Sequence, residues 1–184
     1  MYNENTILRG KKVTVIPLQQ SNLNSYLLIY KKASPFAEMY EKNDDLWNSA
    51  RKDVENEYIQ VGNRRFLIIE NSLSKSVGYI NFTFCDSRQI EVDVAIVEEY
   101  RRKGYAFEAA KLLIQNTIKN GLAESVIWSA FPSNRASCRI AEKLGGVPIE
   151  GRNLIKEAMQ AAGCTFESID EGDIPKTVSY EIRK

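Results

Sequence analysis

The pattern of apolar residues predicts a single α/β domain of the α+β type over residues 1–184, with a mixed, mostly antiparallel sheet flanked by helices. Three observations carry that prediction. Segments of alternating and of helical apolar spacing follow one another in the order β-α-α-β-β-β-α-β-α-β. Strands in the middle of the chain are joined by turns of a few residues, which forces them antiparallel. One later pair is joined through a helix, which makes it parallel.

The first strand is predicted over residues 8–18, where Val13, Val15 and Pro17 alternate with Lys12, Thr14 and Ile16. Ser21 is the predicted N-cap of a helix carrying Leu23, Tyr26, Leu27 and Tyr30 at helical spacing, and Pro35 breaks it. A second helix is predicted over 44–61. Leu46, Ala50, Val54 and Tyr58 recur there every fourth residue, and Asp44 and Asp45 sit where the helix dipole favours negative charge. Residues 66–70 form a short buried strand, and 71–76 a turn. Gly78, Ile80, Phe82 and Phe84 then alternate with Tyr79, Asn81 and Thr83 as a half-exposed strand. Residues 86–88 close a hairpin onto a strand in which Ile90, Val92, Val94 and Ile96 alternate with Glu91, Asp93 and Ala95. Ala106, Ala109, Ala110, Leu113, Ile114 and Ile118 make one helical stripe, ended by Asn120 and Gly121. A strand at 125–131, a helix at 134–144 ended by Gly145 and Gly146, and a last strand at 177–183 complete the set. Residues 147–176 read as irregular, with one short amphipathic stretch at 154–162.

Composition removes whole classes of chemistry. The chain contains no histidine, so serine–histidine triads, histidine bases and histidine-ligated zinc are excluded. Cys85, Cys138 and Cys164 lie far apart with no CxxC spacing, so no metal site is expected. The length suits one domain with a full core, since domains usually run to roughly 100–200 residues. Hydrophobic content of 43% and charged content of 27% are those of an ordinary soluble chain. The net charge of +1 gives no support for nucleic-acid or anionic-membrane binding. Residues 1–5 lack a signal-peptide pattern, no apolar run could span a bilayer, and scattered cysteines fit a reducing compartment. The expectation is a cytoplasmic protein.

The most informative segment is Arg101-Arg102-Lys103-Gly104-Tyr105-Ala106, between a strand and a helix. The first turn of a helix has unpaired N–H groups and partial positive charge. Gly104 and the small Ala106 let that backbone approach a phosphate, and Arg101, Arg102 and Lys103 add charge. A Walker-type phosphate loop and a three-glycine dinucleotide fingerprint are both absent. A solvated basic helix entry is the bland reading of the same residues.

Val94-Ala95-Ile96, followed after four further residues by Arg101-x-x-Gly104-x-Ala106, resembles the R/Q-x-x-G-x-G/A motif of the GCN5-related N-acetyltransferases (GNAT). Asn134-Arg135-Ala136-Ser137 and Ala141-Glu142-Lys143-Leu144-Gly145 are similar to that family's second signature, and residues 8–18 to its first strand. The likeness is close over residues 77–146. It implies a GNAT-like fold in which the strand over 92–97 splays from that over 125–131, with acetyl-CoA as co-substrate. The pyrophosphate would lie on residues 101–106 and the pantetheine arm along Val94, Ala95 and Ile96 in the gap. A backbone N–H near Ala95 or Ile96 would polarise the thioester carbonyl. Asn134, with Ser137 beside it, would contact the cofactor arm. The implied reaction is direct acetyl transfer to a primary amine, either a protein or peptide N-terminus or a small amine. The competing reading is a non-catalytic acyl-CoA-binding or regulatory domain.

An attacking amine must lose a proton. Glu91 and Asp93 project from one face of the strand entering the pocket and are the candidate bases; the alternative is a polar strand face meeting water. Many family members carry a tyrosine acid seven residues after the asparagine, where this chain has Ala141; Tyr105 and Ser137 are the remaining hydroxyl candidates. Asn-x-x-Ser with a small residue there is similar to the subgroup acting on ribosomal-protein N-termini. The segment 147–176, with Glu150, Glu157, Glu167, Asp170, Glu171 and Asp173, reads as an insertion bordering a cationic acceptor, or as a solvated loop or homodimer contact.

Overall fold

The alternating segments assemble into one eight-stranded sheet in the order β1-β2-β3-β4-β5-β6-β8-β7. The computed structural model describes residues 6–61, 64–85, 89–150 and 177–183. The expected turn at 86–88, the amphipathic stretch at 154–162, Cys164 and all the acidic residues of the insertion except Glu150 lie outside the described residues. The strands are β1 (Leu8–Arg9), β2 (Val13–Pro17), β3 (Arg65–Glu70), β4 (Lys75–Cys85), β5 (Gln89–Ile96), β6 (Ser125–Ala130), β7 (Val147–Ile149) and β8 (Val178–Ile182). The helices are α1 (Leu23–Ala33), α2 (Ala37–Lys42), α3 (Asp44–Val61), α4 (Tyr105–Lys119) and α5 (Arg135–Lys143).

Four elements depart from the sequence reading, each for a physical reason. The expected strand over 8–18 is a hairpin, because Gly10 turns the chain: its N–H bonds to the Val13 carbonyl at 2.8 Å. Ser21 is not the helix cap. A 3-10 turn at Gln20–Asn22 precedes α1, and the Gln19 N–H donates to Asn22 Oδ1 at 2.9 Å. The short α2 escaped notice because six residues are too few to show a helical period. Residues 147–149 are a strand, β7, pairing antiparallel with β8 as an edge strand, a position where Pro148 is tolerated.

Every strand pairing is antiparallel except β5 with β6. That pair is in register at Gln89↔Ser125, Ile90↔Val126 and Glu91↔Ile127, and then the ladder stops, although β5 continues to Ile96 and β6 to Ala130. The two strands therefore diverge at one end of the sheet and leave one edge of β5 without a strand neighbour.

Helices cover both faces. On one, α4 and α5 bury Ala109, Ala110, Leu113, Ile114, Cys138 and Ala141 against Val92, Ile96, Val126 and Trp128. Truncating a fully buried side chain such as Leu113 to alanine costs about 2–5 kcal/mol. On the other face lie Tyr26, Leu27, Ile29 and Val54 of α1 and α3, with Tyr79 and partly buried Trp47 and Ala95. β5 feeds both layers, because side chains alternate along a strand.

Candidate active site

The open edge of β5 has a definite polarity. The Val97 N–H bonds to the Val77 carbonyl at 2.9 Å, and β4 and β5 keep constant register from Gly78↔Ile96 to Phe82↔Val92. Hydrogen-bonded and non-hydrogen-bonded pairs alternate in an antiparallel ladder. Asp93 and Ala95 therefore turn their backbone groups toward β4, whereas Val94 and Ile96 turn theirs toward the gap beside β6. Of the two amides expected to meet a thioester, Ile96 faces the gap and Ala95 does not. The Ile96 carbonyl is held by Arg101, whose Nε donates to it at 3.0 Å. Arg101 thus ties the loop to the end of β5.

The loop itself is built for close backbone approach. Arg102 has φ +61° and Gly104, the N-cap of α4, has φ +85°. Left-handed conformations near a helix start turn successive N–H groups into an anion-binding concavity, and a non-glycine residue held there is a common mark of a functional segment. Arg102, Lys103 and Gly104 are exposed, while Tyr105 and Ala106 open the helix partly buried. Lys103 places Nζ 5.1 Å from the Tyr100 ring centroid.

Two residues that sequence reasoning passed over complete this end of the sheet. Glu108, in the first turn of α4, accepts hydrogen bonds from the Lys11 and Lys12 N–H groups. Lys12 Nζ donates to the Lys103 carbonyl at 3.0 Å. Lys11, Lys12, Lys103 and Tyr105 line a cleft of about 500 Å³ with residues 70–72. The signal was Gly10, because a glycine inside a strand pattern marks a turn or close approach.

At the start of α5 the Asn134 side chain caps the helix, Oδ1 accepting from the Ser137 N–H at 3.1 Å. Ser137 Oγ accepts from the Trp128 indole N–H at 2.9 Å. Ala141, on the inner face of α5, is 0% exposed and packed in the core. Tyr105 lines the cleft beside Lys12, on the α4 side of the sheet.

The candidate bases occupy the opposite face. Expectation had placed a water-facing alternative there, and the structure overturns it: Glu91 is 5% exposed. Tyr79 and Asn81 on β4, read as half-exposed, are 1% and 2% exposed. α1 packs over Tyr79 and Asn81, with the Tyr26 hydroxyl donating to Asn81 Oδ1 at 2.9 Å, so these two polar residues are buried rather than wet. Glu91 lies in the paired part of β5, opposite Ile127, and Asp93 lies just past it, where the strands part. As a whole residue Asp93 is half-buried, yet its carboxyl is enclosed enough for burial to dominate its titration. Burial pushes it up from an ordinary 3.8 to about 6; the Tyr79 hydroxyl, which donates to it, and the charge of Arg65 pull it down, and Glu91 pushes it up. Burial is also the largest cause that raises Tyr79 well above its ordinary value and Tyr26 to about 12, so both hydroxyls stay protonated donors. Tyr79 was missed because its alternation with apolar neighbours read as solvent exposure.

Among the described residues, no His, Cys, Asp or Glu side chains converge to hold a metal ion, and no helix is long and apolar enough to cross a membrane.

Comparison with known proteins places this arrangement. The chain resembles an acetyltransferase of the GNAT family from Bacillus anthracis, with TM-score 0.68 and 17% identity over 97% of this chain and 98% of that one. It is similar to the RimL ribosomal α-N-protein acetyltransferase in complex with coenzyme A, with TM-score 0.70, 13% identity and coverage of 97% and 98%. A third likeness is to the acetyl transferase from Salmonella typhimurium that modifies the N-terminal serine of a 50S ribosomal subunit protein, with TM-score 0.68, 12% identity and coverage of 97% and 99%. At these identities the likeness shows the fold, a mixed α/β domain with one parallel strand pair. No curated protein matches the sequence significantly. The acetyltransferase (GNAT) domain matches residues 12–147, through the diverging strands and the loop at 101–106, and the chain belongs to that family of acyltransferases.

Proposed function

We propose that the chain is an acetyl-CoA-dependent N-acetyltransferase that transfers acetyl directly from sulfur to a primary amine. One observation carries this reading: β5 turns the Ile96 amide toward the gap beside a phosphate-suited loop, and puts Asp93 on the other face at the same end of that gap. The N–H groups at the start of α4, with Arg102 and Lys103, suit a pyrophosphate. Val94 and Ile96 suit an extended amide chain along the open edge, with Asn134 across the gap at the start of α5. Acetyl-CoA supplies an acetyl group already activated on sulfur, so no nucleophilic side chain is required.

The chain's own residues then have two tasks. The Ile96 N–H donates to the carbonyl oxygen as negative charge builds there. Asp93 accepts the proton that the amine loses as its nitrogen bonds to carbon and the carbon–sulfur bond breaks. A base titrating near 6 is ionised at neutral pH and still basic enough to work. The likeness to ribosomal-protein acetyltransferases supports protein N-termini among the acceptors, beside small amines.

Buried Ala141, where many relatives place a tyrosine acid, favours the competing reading of an acyl-CoA-binding domain without turnover. Thiol release from acetyl-CoA against a panel of peptides, polyamines and aminoglycosides separates the two. Amine-dependent release supports transfer. Coenzyme A binding by calorimetry with no release on any acceptor sinks it.

A further inference from the structure

Three strands place Arg65, Asn81 and Asp93 in one row. Arg65 pairs with Asn81 across β3 and β4, and Asn81 with Asp93 across β4 and β5. Residues directly opposite one another in antiparallel strands project from the same face. At the usual strand spacing the Arg65 and Asp93 backbones lie about 10 Å apart, with Asn81 between them.

The row is roofed by tyrosines from α1. Arg65 donates from Nη1 to the Tyr26 hydroxyl at 3.2 Å, and that hydroxyl donates in turn to Asn81 Oδ1 at 2.9 Å. The guanidinium carbon lies 5.7 Å from the Tyr30 ring centroid. On β4, Tyr79 stands two residues from Asn81, on the same face, and donates to Asp93. The guanidinium is thereby held in place by α1 rather than left to swing.

We propose that Arg65 is a positioning residue for Asp93, a fixed positive charge set in the same cross-strand row that keeps the carboxylate ionised. This rests on the reading of Asp93 as the base. The physical need is plain. Enclosure favours a neutral carboxylic acid, and a protonated Asp93 cannot accept the amine's proton. A guanidinium in direct bidentate contact would hold the carboxylate so firmly that it became a feeble base. A charge set back in the row offsets the enclosure without abolishing basicity. The groups that face Asp93 divide accordingly: Arg65 from β3 and the Tyr79 hydroxyl from β4 favour the ionised form, and Glu91 on β5 opposes it. Tyr26 from α1 touches Arg65 and Asn81.

The test is a carbon-13 titration of the Asp93 carboxyl, its resonance identified by loss in Asp93→Asn. Arg65→Met and Arg65→Gln should each move the titration midpoint upward by about one pH unit relative to the wild type. The acid limb of kcat/KM should follow it, with activity recovering at higher pH. Arg65→Lys, which retains the charge, should titrate close to the wild type. A midpoint unchanged in folded Arg65→Met or Arg65→Gln overturns the proposal, as does a Lys variant that shifts as far as the Gln variant. Failure of the base reading looks different: Asp93→Asn would then turn over normally, whatever Arg65 does.

Discussion

The two faces of β5 are made by alternate residues of one short strand, yet they are different materials. Val92, Val94 and Ile96 face α4 and join an apolar layer held by dispersion and burial. Glu91, Asp93 and Ala95 lie on the opposite face, where tyrosines, an asparagine and an arginine share a hydrogen-bonded cluster that includes Asp93. The first face supports the loop proposed to hold the pyrophosphate through its backbone N–H groups; the second sets the proton affinity of Asp93. A single strand can serve both because its pleat separates them, while its free edge, where β6 turns away, joins them. Substitutions should therefore fall into two groups, some affecting cofactor binding and others affecting turnover.

The largest effect should come from the polar face. Asp93→Asn is expected to lower kcat by about 10²- to 10⁴-fold, the usual contribution of a general base. Coenzyme A affinity by calorimetry should stay within about twofold of the wild type. Loss of both together would break the separation of the faces.

The same residue should also mark stability. Folded Asp93 titrates near 6 against an ordinary 3.8, so between those values the folded state holds the extra proton. Stability from this group is then greatest below 3.8 and falls as pH rises through 6, by up to about 3 kcal/mol. Urea unfolding of the wild type and Asp93→Asn across that window should differ by such a slope, and parallel curves would contradict it.

Gly78 tests the contact between β4 and the open end of β5. A Cβ there would meet the Ala95 carbonyl oxygen at 2.3 Å, a backbone atom that moves only with the strand. Gly78→Ala should cost about 1–3 kcal/mol in unfolding free energy and weaken coenzyme A binding through the displaced Ile96 amide. A variant with unchanged stability and affinity would show that the edge geometry is not critical.

On the loop, Gly104→Glu should weaken coenzyme A binding by at least about tenfold. A left-handed conformation costs a side-chain-bearing residue roughly 1–2 kcal/mol, and the added carboxylate repels a pyrophosphate. Its turnover at saturating acetyl-CoA should be affected far less. Unchanged affinity would remove the loop from the cofactor site.

The apolar face was largely legible in the sequence. The stripe from Ala106 to Ile118, Gly104 at the helix entry and the strand–helix–strand unit are local signals, and local signals survive in a one-dimensional reading. The polar face was not. Tyr79, Asn81, Glu91 and Asp93 alternate with apolar residues, the ordinary mark of a solvated strand side. Tyr79 and Asn81 are buried because α1, far earlier in the chain, docks over them, and no periodicity within β4 records that. Arg65 was read as lying outside its strand, and its place in a row with Asp93 depends on the register of three strands. Gly10 turned an expected single strand into a hairpin, which brought Lys12 to the loop.

The pH dependence of kcat/KM for amine-dependent thiol release is the sharpest test of Asp93 as the base. The chain has no histidine, so no imidazole can titrate in the range where Asp93 does. Proton removal by Asp93 predicts an acid limb centred near 6 in the wild type and its disappearance in the residual activity of Asp93→Asn. A wild-type profile flat between about pH 5 and pH 7, or an acid limb that survives in Asp93→Asn, would contradict it.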